Sequence, residues 1–368
     1  MYRVKEINRV FLGTILILIP GSYLSTLLYE KTNNYILVLL LSQFVLILPT
    51  LIYLLIKKVN VGKLIRFHKI RLSNLVLLIL FSYLILPLMN LINAISMMYV
   101  QNDTAAIISD IANNNSFYLT LFMVAFVPAV FEEAVYRGVF YNEYRNVNRL
   151  KGIILSGFLF GIMHGNINQF SYAFVMGIVF AFLIEATNSI LSSMVVHFII
   201  NGTSVVLLYL YPKLLTLLEN IYGTSQFNAD QLMEQLNSTI DQTLTIEVIL
   251  STYLLPAIIC TILAFIVLRT IAKNEGRWED VKGIFRKKES NIKYDSDAIN
   301  IANANFDEII ARDSKKQSLL TPSLVIAIII CIVLMIRYEL YSIDDIKNSA
   351  DEFLIQVKQL SISNAFFR

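Results

Sequence analysis

Residues 117–141 read FYLTLFMVAFVPAVFEEAVYRGVFY. The run is long enough for a helix to cross about 30 Å of hydrocarbon, which takes about 20 apolar residues. Yet it carries two adjacent carboxylates, Glu132 and Glu133, and a guanidinium, Arg137. Burying one such group in a span costs about 2.5–3.5 kcal/mol even on the mildest scale, so these charges need partners or a wet cavity. Glu133 and Arg137 are four apart, share a helix face and can pair. Glu132 points about 100° away from Glu133 and is free for other work. Pro128 cannot donate to the carbonyl of Val124, which predicts a bend just ahead of the acids. The plainer alternative is a charge cluster that pins the helix end at the interface.

Working outward, apolar runs of similar kind recur over residues 10–29, 35–56, 74–100, 152–164, 170–185, 189–211, 246–268 and 319–336, giving nine candidate spans, of which the fifth and sixth are short. The basic start and the long first run read as a retained span, since a signal peptide's apolar core is about 7–15 residues. The fold class is all-α: a polytopic membrane helical bundle of eight to nine transmembrane helices. Hydrophobic residues make up 56% of the chain and charged residues 15%, against about 25% charged in soluble domains. That balance excludes water as the solvent of the whole surface, and no nucleic-acid module is present. Cys260 and Cys331 lie in apolar runs and behave as small hydrophobes.

Lys and Arg counts alternate along the connections: three at the amino-terminus, then 1, 6, 0, 3, 0, 0, 1 and 11, with four after residue 336. Positive residues are held on the cytoplasmic side, so the expectation is a cytoplasmic amino-terminus and an exterior carboxy-terminus, the tail's own positives weakening only the latter. Ile-, Asn- and Lys-rich composition points to a bacterial cytoplasmic membrane. Four regions follow: helices 1–3 within 1–116, a central core over 117–211, an exterior loop over 212–245 with the spacing of interfacial helices, and 246–368, which holds the last spans around a charged cytoplasmic loop, 269–318.

Two further motifs complete the polar set. Residues 160–164 place Phe160 four before His164, and residues 197–201 place His197 and Asn201 one turn apart on one face. Gly157, Gly161 and Gly165, and then Ala173, Gly177 and Ala181, form small-residue stripes that let helices approach closely and hold His164 rigidly. Each motif has a plain alternative, a hydrogen-bonded core histidine or an interhelical amide bond. Counted from the cytoplasmic ends, Glu132, His164 and His197 lie at depths of roughly 12–20 Å, so one cavity can hold them. His68, the remaining histidine, reads as a surface residue.

The ordered set Glu-Glu-x-x-x-Arg, Phe-x-x-x-His and His-x-x-x-Asn on consecutive helices resembles the CPBP family of intramembrane proteases, also called the CAAX-protease and bacteriocin-processing, or Abi, family. The resemblance covers residues 117–202. Its prenyl-protein endoprotease branch implies that Glu132 and His164 activate water and that His197 and Asn201 stabilise the oxyanion, with Glu133 and Arg137 as a supporting ion pair that fixes the helix end. No cofactor is required in that mechanism. The family is also described as metal-dependent, and His164, His197 and Glu132 would be the three protein ligands of a catalytic zinc. No His-Glu-x-x-His helix is present to favour zinc. The implied partners are a membrane-associated peptide or protein substrate and the lipid bilayer. Outside the enzyme class, the same residues read as the relay of an ion- or proton-coupled transporter, or as a silent peptide-binding scaffold.

Overall fold

The computed structural model describes residues 3–58, 61–100, 102–222, 245–286 and 318–340. Every regular element among them is helical. We number the membrane helices α1 (Val4–Thr32), α2 (Tyr35–Ile56), α3 (Leu72–Met97), α4 (Phe117–Val147), α5 (Arg149–Ile162), α6 (Ile167–Thr187), α7 (Ile190–Tyr222), α8 (Ile246–Asn274) and α9 (Pro322–Leu340). Eight of these are long and apolar enough to cross a membrane, α5 being the exception at 14 residues, or about 21 Å of rise. The last candidate span therefore qualifies by length, whereas the fifth does not. α5 nonetheless reverses the chain by packing antiparallel on α6, with Gly157 against Ile178 and Gly161 against Phe174. Large side chains left exposed on the outer helices, such as Leu255 and Phe265 on α8, suit a lipid solvent.

Polar contacts fix which helix ends share a side. Asn8 at the start of α1 donates to the Leu319 carbonyl (2.8 Å) and to Thr321 (2.9 Å) before α9, and accepts from Tyr144 at the end of α4 (2.7 Å). Asn274 at the end of α8 donates to Asn74 at the start of α3 (2.8 Å). Opposite, Asn168 of α6 donates to Asn93 near the end of α3 (3.0 Å), and the Ile167 amide donates to Glu339 at the end of α9 (2.8 Å). Consecutive membrane helices thus run in alternating directions, and the described parts of the Lys- and Arg-rich connections gather at one end.

That basic end is locked by Glu185, fully buried at the close of α6. It accepts from Tyr141 (2.8 Å) and from Arg145 Nη2 (2.9 Å), and forms ion pairs with Arg145 Nε at 2.8 Å and Arg66 Nη1 at 3.7 Å. Arg277 donates to the Glu185 carbonyl (2.9 Å). Burial lowers the Arg66 guanidinium to about 10, aided by the Arg145 charge and opposed by Glu185, so it stays charged at neutral pH.

Several boundaries differ from the sequence reading. α7 continues through Pro212 to Tyr222, so the expected loop over 212–245 begins as helix; residues 223–244 lie outside the described residues. Of the charged segment 269–318, the last turns of α8 and a short helix, Trp278–Gly283, are described, while 287–317, with Lys287 and Lys288, are not. Gly165 makes no close approach: its φ of +76° turns the chain after α5, a conformation that glycine adopts without steric cost.

Gly177 is the tightest crossing. A Cβ there would stand 2.6 Å from the Gly157 Cα and 3.1 Å from Arg137 Nη2. Gly177→Ala is therefore expected to lower the thermal unfolding midpoint in detergent by the equivalent of about 1–3 kcal/mol. Gly13→Ala, with open space around the new methyl, serves as the unaffected control. Equal midpoints for the two variants would sink the close-packing account.

Candidate active site

α4 departs from α-helical geometry twice, over Phe122–Phe126 and Ala134–Tyr141, where it widens to π-helix. The first widening sits immediately before Pro128, and the Val127 amide reaches back to the Phe122 carbonyl. The carbonyl that Pro128 leaves without a backbone donor, that of Val124, accepts instead from Asn201 Nδ2 of α7 at 3.3 Å. The expected bend is thus a π-turn whose free carbonyl is capped by a polar residue of a neighbouring helix, a device common at functional sites.

One turn later the acids separate as their spacing predicts. Glu133 and Arg137 are 0% exposed and pair at 3.0 Å. They lie inside the bundle rather than at a helix end, which corrects that part of the sequence reading. The Arg137 guanidinium carbon lies 4.2 Å from the Phe160 ring centroid and 5.0 Å from that of Phe180, so ring faces supply the rest of its environment. Gly177 leaves the room it needs.

Glu133 Oε1 also accepts from His197 Nδ1 at 3.2 Å. A carboxylate paired with arginine accepts only, so Nδ1 carries the proton and Nε2 faces outward. It stands 3.9 Å from Glu132 Oε2. Phe180 stacks on the His197 ring at a centroid distance of 5.1 Å and fixes its plane. Glu132, turned away from Arg137, keeps 14% of its side chain exposed. Its Oε1 accepts from Gln43 Nε2 of α2 at 3.1 Å.

His164 ends α5. Its Nδ1 donates to the Phe160 carbonyl at 2.8 Å, which again leaves Nε2 as the free acceptor of the neutral ring. Its ring lies 5.1 Å from the Phe160 centroid and that of His197 lies 6.0 Å from it, so one phenylalanine flanks both histidines. Among the described residues no hydrogen bond or ion pair joins His164 to Glu132. The structure therefore brings Glu132, Glu133, Arg137 and His197 into one contiguous set, places Asn201 a turn away on the Val124 carbonyl, and sets His164 across the Phe160 ring. His68 is exposed on the loop after α2, as expected.

The zinc alternative needs Glu132, His164 and His197 to converge. Among the described residues no three His, Cys, Asp or Glu side chains form a metal-holding group. The donor set as placed does not fit a three-ligand centre.

Sequence reasoning missed Gln43, the Phe180 stack and the Glu185 cluster. Gln43 and Glu185 were legible as polar residues within or at the close of apolar runs. The stacking of Phe180 had no such mark, because aromatics are ordinary in these helices.

An apolar helix bundle with a buried carboxylate–histidine–guanidinium set at its centre defines a polytopic membrane protein with an intramembrane polar site. Residues 114–203, about a quarter of the chain, match the family described as Rce1-like, type II CAAX prenyl endopeptidase Rce1-like. Over this segment the chain is similar to the CAAX protease, or CPBP, family. No curated protein and no solved structure matches the chain.

Proposed function

We propose that the chain is an intramembrane endopeptidase that hydrolyses a peptide bond of a membrane-associated protein or peptide, with its amino-terminus on the cytoplasmic side. The observation that carries this reading is the partly exposed Glu132 carboxylate beside the outward Nε2 of His197, whose other nitrogen is held by a buried ion pair.

In this mechanism Glu132 takes a proton from a water held by its carboxylate and the Nε2 of His164. The hydroxide oxygen bonds to the scissile carbonyl carbon, and the carbonyl oxygen becomes the anion. Asn201 has a second Nδ2–H beyond the one given to Val124, and His197, when protonated, donates from Nε2. These two donors meet the oxyanion, and preorganised donors in a water-poor site act more strongly than in bulk water. Collapse breaks the carbon–nitrogen bond as Glu132 returns its proton to the departing amine. The buried Glu133–Arg137 pair keeps the His197 ring in one orientation through the cycle.

The test is cleavage of an internally quenched farnesylated peptide ending in Cys-aliphatic-aliphatic-X, alongside its unprenylated counterpart, by the purified protein in liposomes. Cleavage is expected in the presence of a strong chelator and is expected to be lost in His164→Ala. Loss on chelation with recovery on adding zinc would replace the water-activation scheme. Proton-dependent solute uptake without cleavage would favour the transporter reading.

A further inference from the structure

The segment that matches the protease family begins at residue 114, yet one polar contact to Glu132 comes from well before it. Gln43 lies in the middle of α2, a helix whose residues 35–56 are otherwise almost wholly apolar. Its Nε2 donates to Glu132 Oε1 at 3.1 Å. The carboxylate can only accept, so the amide nitrogen must be the atom that faces it. The other end of the amide, Oε1, is buried with no hydrogen-bond partner among the described residues.

That unpaired oxygen is informative. A glutamine kept for packing inside a helix bundle would have both ends satisfied, because an orphaned buried acceptor is costly. Here one end is left wanting while the other serves the single partly exposed carboxylate of the site. With Oε1 of Glu132 tied to α2, Oε2 is the oxygen turned toward His197 Nε2, at 3.9 Å.

We propose that Gln43 is a positioning residue for the water-activating carboxylate, its amide hydrogen fixing Glu132 so that one oxygen is held and the other is presented to the reacting water. α2 is then part of the active site rather than a bystander to a core over 117–211. This inference deepens the endopeptidase reading and rests on it for any effect on turnover.

Gln43→Leu removes the donor at similar volume. On the quenched farnesylated peptide, kcat is expected to fall roughly tenfold or more with KM unchanged, a hydrogen bond to a charged group being the interaction lost. Gln43→His, which can still donate, should restore part of the loss. A raised KM at unchanged kcat would overturn the proposal.

A second measurement needs no turnover. Labelling of the full-length protein in detergent by dicyclohexylcarbodiimide at neutral pH, mapped by mass spectrometry, reads how freely each carboxyl can react. Glu132 is expected to label several-fold faster in Gln43→Leu, and in Gln43→Met as a second apolar variant, while buried Glu133 stays silent. Unchanged labelling at Glu132, or new labelling at Glu133 in both variants, would overturn the proposal. Retained cleavage in Glu132→Gln would sink the base assignment instead, and would leave the labelling result standing as a fact about the Gln43–Glu132 bond.

Discussion

Glu132→Gln is expected to reduce peptide cleavage roughly 10²–10⁴-fold, the usual range for removing a positioned general base, while leaving the unfolding midpoint within the small change expected away from a buried network. The substitution keeps size and shape, and the new amide oxygen can still accept from Gln43 Nε2. What it removes is the capacity to take a proton from water. Glu132 keeps 14% of its side chain exposed, and among the described residues the ion pair of Arg137 is with Glu133, so the change leaves that pair intact. The loss should appear in kcat, because proton transfer belongs to the transition state. Substrate affinity, measured by competition with an uncleaved peptide, should be unaltered. Cleavage within threefold of the parent would move the base to another group.

Much of this division is legible in the sequence. Spacing alone paired Glu133 with Arg137 and turned Glu132 away, because helix geometry fixes side-chain direction to within a few tens of degrees. Pro128 marked the disturbed carbonyl of Val124, and one-turn spacing put His197 and Asn201 on the same face. What spacing cannot give is which neighbour answers. That Asn201 caps Val124, and that His197 reaches Glu133 through Nδ1 rather than Nε2, depend on how far α7 is rotated against α4. Packing sets that rotation, through Gly177, Phe160 and Phe180. Likewise, hydropathy found nine apolar runs, but α5 is held against α6 by close backbone contact rather than by spanning length. The same limit hid Gln43: one amide in an apolar run looks like an interhelical tie until its unpaired end is seen.

The adjacent acid should behave in the opposite way. Arg137→Leu is expected to destabilise the fold by about 3–5 kcal/mol, the cost of leaving a buried charge without its partner, read by thermal unfolding in detergent. Glu133 and Arg137 are both 0% exposed, so neither can turn to water when the other is lost. Arg137 Nη1 lies 3.0 Å from Glu133, although no guanidinium nitrogen has a hydrogen-bond partner among the described residues. Its hold therefore comes from the carboxylate charge and from the Phe160 and Phe180 faces, and leucine could fill the same aromatic cage. The charge, not the volume, is then what Arg137→Leu removes. The double variant Glu133→Gln, Arg137→Leu takes away the stranded charge while keeping an acceptor for His197 Nδ1, and it should recover most of the stability. Recovery of stability without recovery of cleavage would assign the ion pair to orienting His197. Additive losses would mean instead that the two side chains act independently, and that the 3.0 Å contact contributes little to either fold or site.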